Sequence, residues 1–272
     1  MFKRLYQITV DCSLWNGFLI KEKFGMREIS LRNKHCVVLA GGEGSRVAEI
    51  TKEEIPKALI PVRGKPFLDF KIDSLIKIGF TELTFLLGKF SDQIVNYIQG
   101  HDYPDVKISY VEESSPLGTG GAILASLGNL PNTFWVTYAD SLVFPNHHDL
   151  ELIDAVAAVD ESVMCVIRGN EGWGRSNVEL ERDRVTFYSR HQSDSSGKNL
   201  LWIEYGLIRI SKSIFRDFLT ETRFDLGEVI QSQVLEKGMR SLVCQERFRE
   251  VGNVQSFYET EHWLRSNFEE YP

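Results

Sequence analysis

Short apolar runs alternate with longer stretches whose apolar residues recur every third or fourth position, and this alternation governs the chain from residue 35 onward. The run His35–Ala40 has the length and continuity of a buried strand. Over Phe67–Ile78, residues Leu68, Ile72, Leu75 and Ile76 share one helical face, which predicts a helix. The same reading gives strands at 83–87, 106–111 and 134–138, and helices at 91–99 and 120–127. Strands and helices taken in turn are β-α-β units, whose right-handed crossovers favour a mostly parallel central sheet covered on both faces. The expected fold class is therefore α/β.

Beyond residue 149 the rhythm changes. A helix at 149–159 and a strand at 163–167 continue the pattern, but 177–180, 185–188 and 201–210 read as strands divided by polar turns. We expect residues 168–210 to contribute a small substrate-binding lobe to a main domain spanning 35–272. Helices at 213–219 and 226–236, a strand at 241–244 and a closing helix at 253–267 complete that domain. Phe257, Tyr258, Trp263 and Leu264 in the last helix read as terminal packing. Residues 1–34 carry no comparable periodicity and are set apart as an N-terminal extension.

Composition narrows the function classes. Among the 272 residues, 38 acidic side chains stand against 31 basic ones, a formal charge of −7. That balance opposes binding of a nucleic-acid polymer, which calls for a broad basic surface, but leaves room for a single nucleotide held by local donors. No stretch has the continuous apolar length of a membrane span, so no membrane insertion is expected and the cytoplasm is the expected compartment. The four cysteines are scattered without a CxxC pair, which suits packing roles rather than a zinc site. Exposed apolar positions near the C-terminus leave a homodimer open.

Two glycine-rich stretches follow strands. In the first, Ala40-Gly41-Gly42-Glu43-Gly44-Ser45-Arg46, glycines let backbone N–H groups approach an anion. Arg46 and, within Pro56-Lys57-Ala58-Leu59-Ile60-Pro61-Val62, Lys57 add positive charge. The spacing is neither the dinucleotide fingerprint G-x-G-x-x-G nor a Walker A loop. In the second stretch, Glu112-Glu113-Ser114-Ser115-Pro116-Leu117-Gly118-Thr119-Gly120-Gly121, the glycines would wall a flat base or donate N–H groups to a ligand. Gly118→Val is then expected to obstruct nucleotide binding by its added volume. Taken alone, each stretch is also readable as a tight turn. Asp140 follows a third strand, and its hard carboxylate suits Mg2+, with Glu250 as a second candidate ligand. In an open α/β sheet such loops meet beyond the carboxyl ends of the strands.

Together these motifs resemble the sugar-phosphate nucleotidyltransferase family, the nucleotide-sugar pyrophosphorylases. The resemblance runs in element order over roughly residues 35–268 and is strongest through residue 140. It implies a Rossmann-like nucleotidyltransferase fold and the reaction of a nucleoside triphosphate with a sugar 1-phosphate to give a nucleotide sugar and pyrophosphate. It assigns nucleotide binding to Ala40, Gly41, Gly42, Gly44, Ser45, Arg46, Glu113, Gly118 and Gly121. Catalysis falls to Arg46, Lys57 and Asp140, and Mg2+ to Asp140 and Glu250. Where the family commonly has Glu-Lys-Pro this chain has Ser189-Arg190-His191, so Arg190 becomes the candidate cation for the acceptor phosphate. Glu204 and Gly206 match the sugar-pocket positions, and Glu250-Val251-Gly252 replaces a metal-binding Asp-x-Gly with a longer carboxylate. The Pro-Leu-Gly-Thr-Gly-Gly-Ala form resembles branches acting on heptose 1-phosphate or N-acetylmuramate 1-phosphate. GTP with a heptose 1-phosphate is the first choice. CTP- or UTP-dependent transfer, including to a non-sugar phosphate, and a non-catalytic nucleotide-binding role are the alternatives.

Overall fold

Strand β1, His35–Ala40, sends Cys36 and Val38 to one face of the sheet and Val37 and Leu39 to the other, and all four are buried. In this computed structural model the described residues are 34–42, 45–52, 54–170, 173, 176–189 and 200–267. After β1 come a short helix α1 (Ala48–Thr51), a small ribbon of β2 (Pro61–Val62) and β3 (Lys65–Pro66), and helix α2 (Phe67–Ile78). Pro66 opens α2, and Gly79, at φ 103°, ends it in the left-handed conformation that favours glycine. The chain continues through β4 (Glu82–Leu87), α3 (Ser91–Gln99), β5 (Lys107–Glu112), α4 (Gly118–Ser126) and β6 (Thr133–Tyr138).

The second half supplies β7 (Ser141–Leu142), α5 (His147–Val156), β8 (Val163–Arg168), β9 (Val178–Glu181), β10 (Arg184–Tyr188) and β11 (Trp202–Ser211). Helix α6 (Leu226–Lys237), β12 (Met239–Cys244), β13 (Arg249–Glu250) and helix α7 (Val254–Ser266) close it. A nine-stranded sheet runs in the order β5-β4-β1-β6-β11-β8-β12-β10-β9, and β9 also touches β11. The expected helix at 213–219 is a 3-10 helix, Lys212–Phe218.

The expectation of a mostly parallel sheet is corrected. Strands β5, β4, β1 and β6 are parallel, as are β8 and β12, but β11 lies antiparallel between β6 and β8, and β10 is antiparallel to both its neighbours. The sheet is mixed. Periodicity reports burial rather than direction, and the inner half of β11, with Leu207, Ile208 and Ile210 all buried, has the same continuous apolar signature as a parallel strand. Gly206, at φ 79°, sits where the β11–β8 register shifts, so it serves a bulge.

Both faces are covered. Leu68, Ile72 and Leu75 of α2 pack with Val38, Phe85 and Trp135 on one side. Ile123 of α4 and Val229 and Ile230 of α6 pack with Val37, Leu86 and Val136 on the other. A third cluster joins Ile60, Phe67 and Phe70 to Val251, Phe257 and Leu264, so the closing helix braces the loop that carries Lys57. Side chains buried this completely contribute about 1.5–3 kcal/mol each. No helix among the described residues is long and apolar enough to cross a membrane.

Candidate active site

Connections from β1 lead toward β4 and those from β6 lead toward β11, so the sheet's switch point lies between the ends of β1 and β6. The Ala139 amide donates to the Leu39 carbonyl at 3.0 Å, which sets the Asp140 turn beside the start of the glycine loop. A cavity of about 470 Å³ opens there. Ala40, Gly41, Gly42, Arg46, Lys57, Asp140, Glu113 and Gly118 all line it, and the Glu113 carboxylate lies against Gly41. A Cβ on Gly42 would meet nothing within 4 Å, so this glycine leaves an open approach to its backbone.

Lys57 Nζ and Asp140 Oδ2 stand 3.3 Å apart, partly buried. Each offsets the other's charge. Glu250 reaches the same charge cluster: β13 pairs with β7, the Val251 amide donates to the Asp140 carbonyl at 2.8 Å, and the Glu250 carboxyl lies in the field of Asp140, Arg46 and Lys57. Burial first and the Asp140 charge second push its pKa up, against the pull of the three nearby cations Arg46, Lys57 and Arg247. A largely buried carboxyl beside the Asp140 carboxylate makes a fitting donor pair for a divalent cation whose remaining ligands come from phosphates and water. Among the described residues no group of three His, Cys, Asp or Glu side chains converges into a self-sufficient metal cage.

The second glycine stretch behaves differently from the sequence expectation. The Gly120 and Gly121 amides donate to the Phe224 carbonyl at 3.0 and 3.1 Å, so these N–H groups are occupied by the protein itself. Gly118 adopts φ 73°, and a Cβ there would lie 2.5 Å from the Phe224 carbonyl oxygen. Gly118→Val would therefore disturb the packing of α4 on the 222–225 segment, and ligand obstruction is not its first effect. Gly121 is buried in that contact, its added Cβ meeting Leu117 and the Thr222 carbonyl, and does not line the cavity. Glu113 Oε2 accepts from the Leu117 amide at 3.0 Å and thus fixes the entry to α4.

Glu204 and Gly206 lie on β11, outside the lining of this cavity. Tyr188 donates to Glu204 Oε2 at 3.1 Å, while Oε1 is buried without a hydrogen-bond partner among the described residues. Burial raises the Glu204 pKa, with Tyr188 and the Gly206 backbone pulling the other way. Tyr138 joins the two regions, since it lines the cavity and feels the charge of both Glu204 and Asp140. Ser45 opens a 3-10 turn, Ser45–Val47. Gly44 and Arg190 lie outside the described residues.

Sequence reasoning missed Arg223, Asp225 and Thr119, which also line the cavity. Thr119 Oγ1 accepts from the Leu226 amide at 2.9 Å and so joins α4 to the segment bearing Arg223. It also missed Lys71. The signal was available there, because Lys71 falls three residues after Leu68 and four before Leu75, on the apolar face of α2.

Comparison with known proteins adds to this geometry. The family model "Nucleotidyl transferase" matches residues 35–170, half of the chain. D-glycero-alpha-D-manno-heptose 1-phosphate guanylyltransferase of Campylobacter jejuni is 28% identical over 236 residues, spanning 85% of this chain and 99% of the relative. The protein of that name from Aneurinibacillus thermoaerophilus is 25% identical over 225 residues, 80% of this chain and 92% of its own. The crystal structure of HddC from Yersinia pseudotuberculosis superposes with a TM-score of 0.68 at 21% identity, over 85% of this chain and 99% of that one, a likeness of fold.

Proposed function

Since the chain belongs to the nucleotidyl transferase family, we propose that it joins GTP to a heptose 1-phosphate, releasing pyrophosphate and a GDP-sugar. The observation carrying this reading is the Lys57–Asp140 pair at the sheet's switch point, facing a glycine loop that ends in Arg46. The names of two relatives aligned over most of their length, both heptose 1-phosphate guanylyltransferases, support the choice of substrates.

The acceptor phosphate is already an anionic nucleophile, so no dedicated base is required. One of its oxygens attacks the α-phosphorus while the bond from that phosphorus to the β-phosphate bridging oxygen breaks, and pyrophosphate leaves with the electron pair. Arg46 and Lys57 would hold the triphosphate and offset charge that builds on it, and the open backbone at Gly42 would let the phosphates come close. Asp140 and Glu250 would hold a divalent cation, Mg2+ by hardness of the donors. When bound, such an ion supplies charge neutralisation at the phosphates. Residues 168–210, with Glu204 and Gly206, are proposed as the acceptor side, and Arg190 as its phosphate ligand.

Mass spectrometry of products from ATP, CTP, GTP, UTP and dTTP, each offered with heptose, hexose and N-acetylmuramate 1-phosphates, tests the proposal. Guanosine diphosphate heptose as the dominant product supports it. A different nucleotide sugar would move the substrate assignment, and bound nucleotide without any transfer would favour a regulatory binder.

A further inference from the structure

Lys71 is fully buried in the middle of α2, on the face packed against the sheet. Its Nζ donates to Thr137 Oγ1 at 2.9 Å and to the Ser141 carbonyl at 2.6 Å. Those acceptors flank the turn that carries Asp140, Thr137 near the end of β6 and Ser141 at the start of β7. The side chain thus crosses from helix to sheet and fastens both ends of a three-residue turn. Burying an amine is costly: desolvation lowers its pKa to about 8, with the charges of Cys36 and Asp140 opposing the fall. Packing alone would be met by Leu or Met at this place, with Leu68, Ile72 and Leu75 beside it.

We infer that Lys71 is a positioning residue, a clamp that holds the 138–140 turn so that the Asp140 carboxylate stays opposite Lys57. The clamp is a matter of two hydrogen bonds and stands as geometry; its consequence for turnover rests on the proposed nucleotidyl transfer. Arg46 and Lys57 reach the cavity from other elements, so nucleotide binding should survive loss of the clamp while the chemical step slows.

The test compares wild type with Lys71→Met, Thr137→Val and Thr137→Ser. Amide hydrogen exchange in the unliganded protein is measured together with melting temperature, kcat and KM for GTP. In Lys71→Met we expect exchange at 138–142 to rise about tenfold or more while the rest of the sheet is unchanged and the melting temperature is not lowered. The kcat should fall by roughly tenfold to a hundredfold, as for supporting-shell losses, with KM within about twofold. Thr137→Val removes one acceptor at nearly constant volume and should reproduce part of the effect; Thr137→Ser keeps the hydroxyl and should restore it. This pair carries the test if Lys71→Met does not fold. Unchanged exchange at 138–142, exchange rising throughout the sheet, Thr137→Ser behaving like Thr137→Val, or a kcat within twofold of an active wild type would each overturn the inference. A wild type that transfers no nucleotide, with the local exchange effect intact, would refute the proposed reaction while supporting the clamp.

Discussion

Lys57 and Asp140, 3.3 Å apart with side-chain exposures of 14% and 28%, hold opposite charges for which bound phosphate and a cation would compete. If Lys57 offsets charge that develops during transfer, Lys57→Ala should lower the single-turnover rate by about a hundredfold. Its stability cost should be small, about 1 kcal/mol or less, because solvent still reaches both partners. Rapid-quench kinetics and a thermal melt check the two halves; an unchanged transfer rate would remove Lys57 from the chemistry. Asp140→Asn should raise the Mg2+ concentration for half-maximal rate about tenfold or more, read from initial rates against free Mg2+. Asp140 stood out in the sequence because it follows an apolar strand, and Lys57 because it lies in the Pro56–Val62 motif. Arg223 and Asp225 did not, since the segment bearing them comes from a position about a hundred residues beyond the second glycine stretch and carries no motif of its own.

At the scale of elements, the two glycine stretches have opposite demands. Gly42 faces open space, so Gly42→Ala should leave stability within about 0.5 kcal/mol and act on nucleotide affinity. Gly118 is left-handed and pressed against the Phe224 carbonyl, so Gly118→Ala should cost roughly 1–3 kcal/mol. Urea denaturation of both variants separates the cases, and equal midpoints would contradict the reading. Sequence could show that both stretches needed glycine, but not which neighbour required it, because Phe224 meets α4 only after the chain has folded back. The alternation of β1, β4, β5 and β6 with helices was readable from apolar spacing. The antiparallel insertion of β11 was not, since a strand buried on both faces carries no mark of its direction.

For the molecule as a whole, Glu204 on β11 bears on the stability of the nine-stranded sheet. Its folded pKa lies above the ordinary value of 4.5, so the folded protein holds that proton more tightly than the unfolded chain. The associated stability is present at pH values below about 4.5 and is lost as pH rises through the folded pKa. Glu204→Gln, which keeps the shape and removes the charge, should narrow the difference in melting temperature between pH 5 and pH 8 and raise the value at pH 8. A variant with the wild-type pH dependence would show that this carboxyl is not a source of it. If the crevice between β1 and β6 grips a nucleoside triphosphate for transfer, a crystal structure with Mg2+ and a non-hydrolysable GTP analogue will show it. The expected complex has phosphates against the Gly41 and Gly42 amides, Arg46 and Lys57, with the metal on Asp140; phosphates bound away from these residues would contradict it.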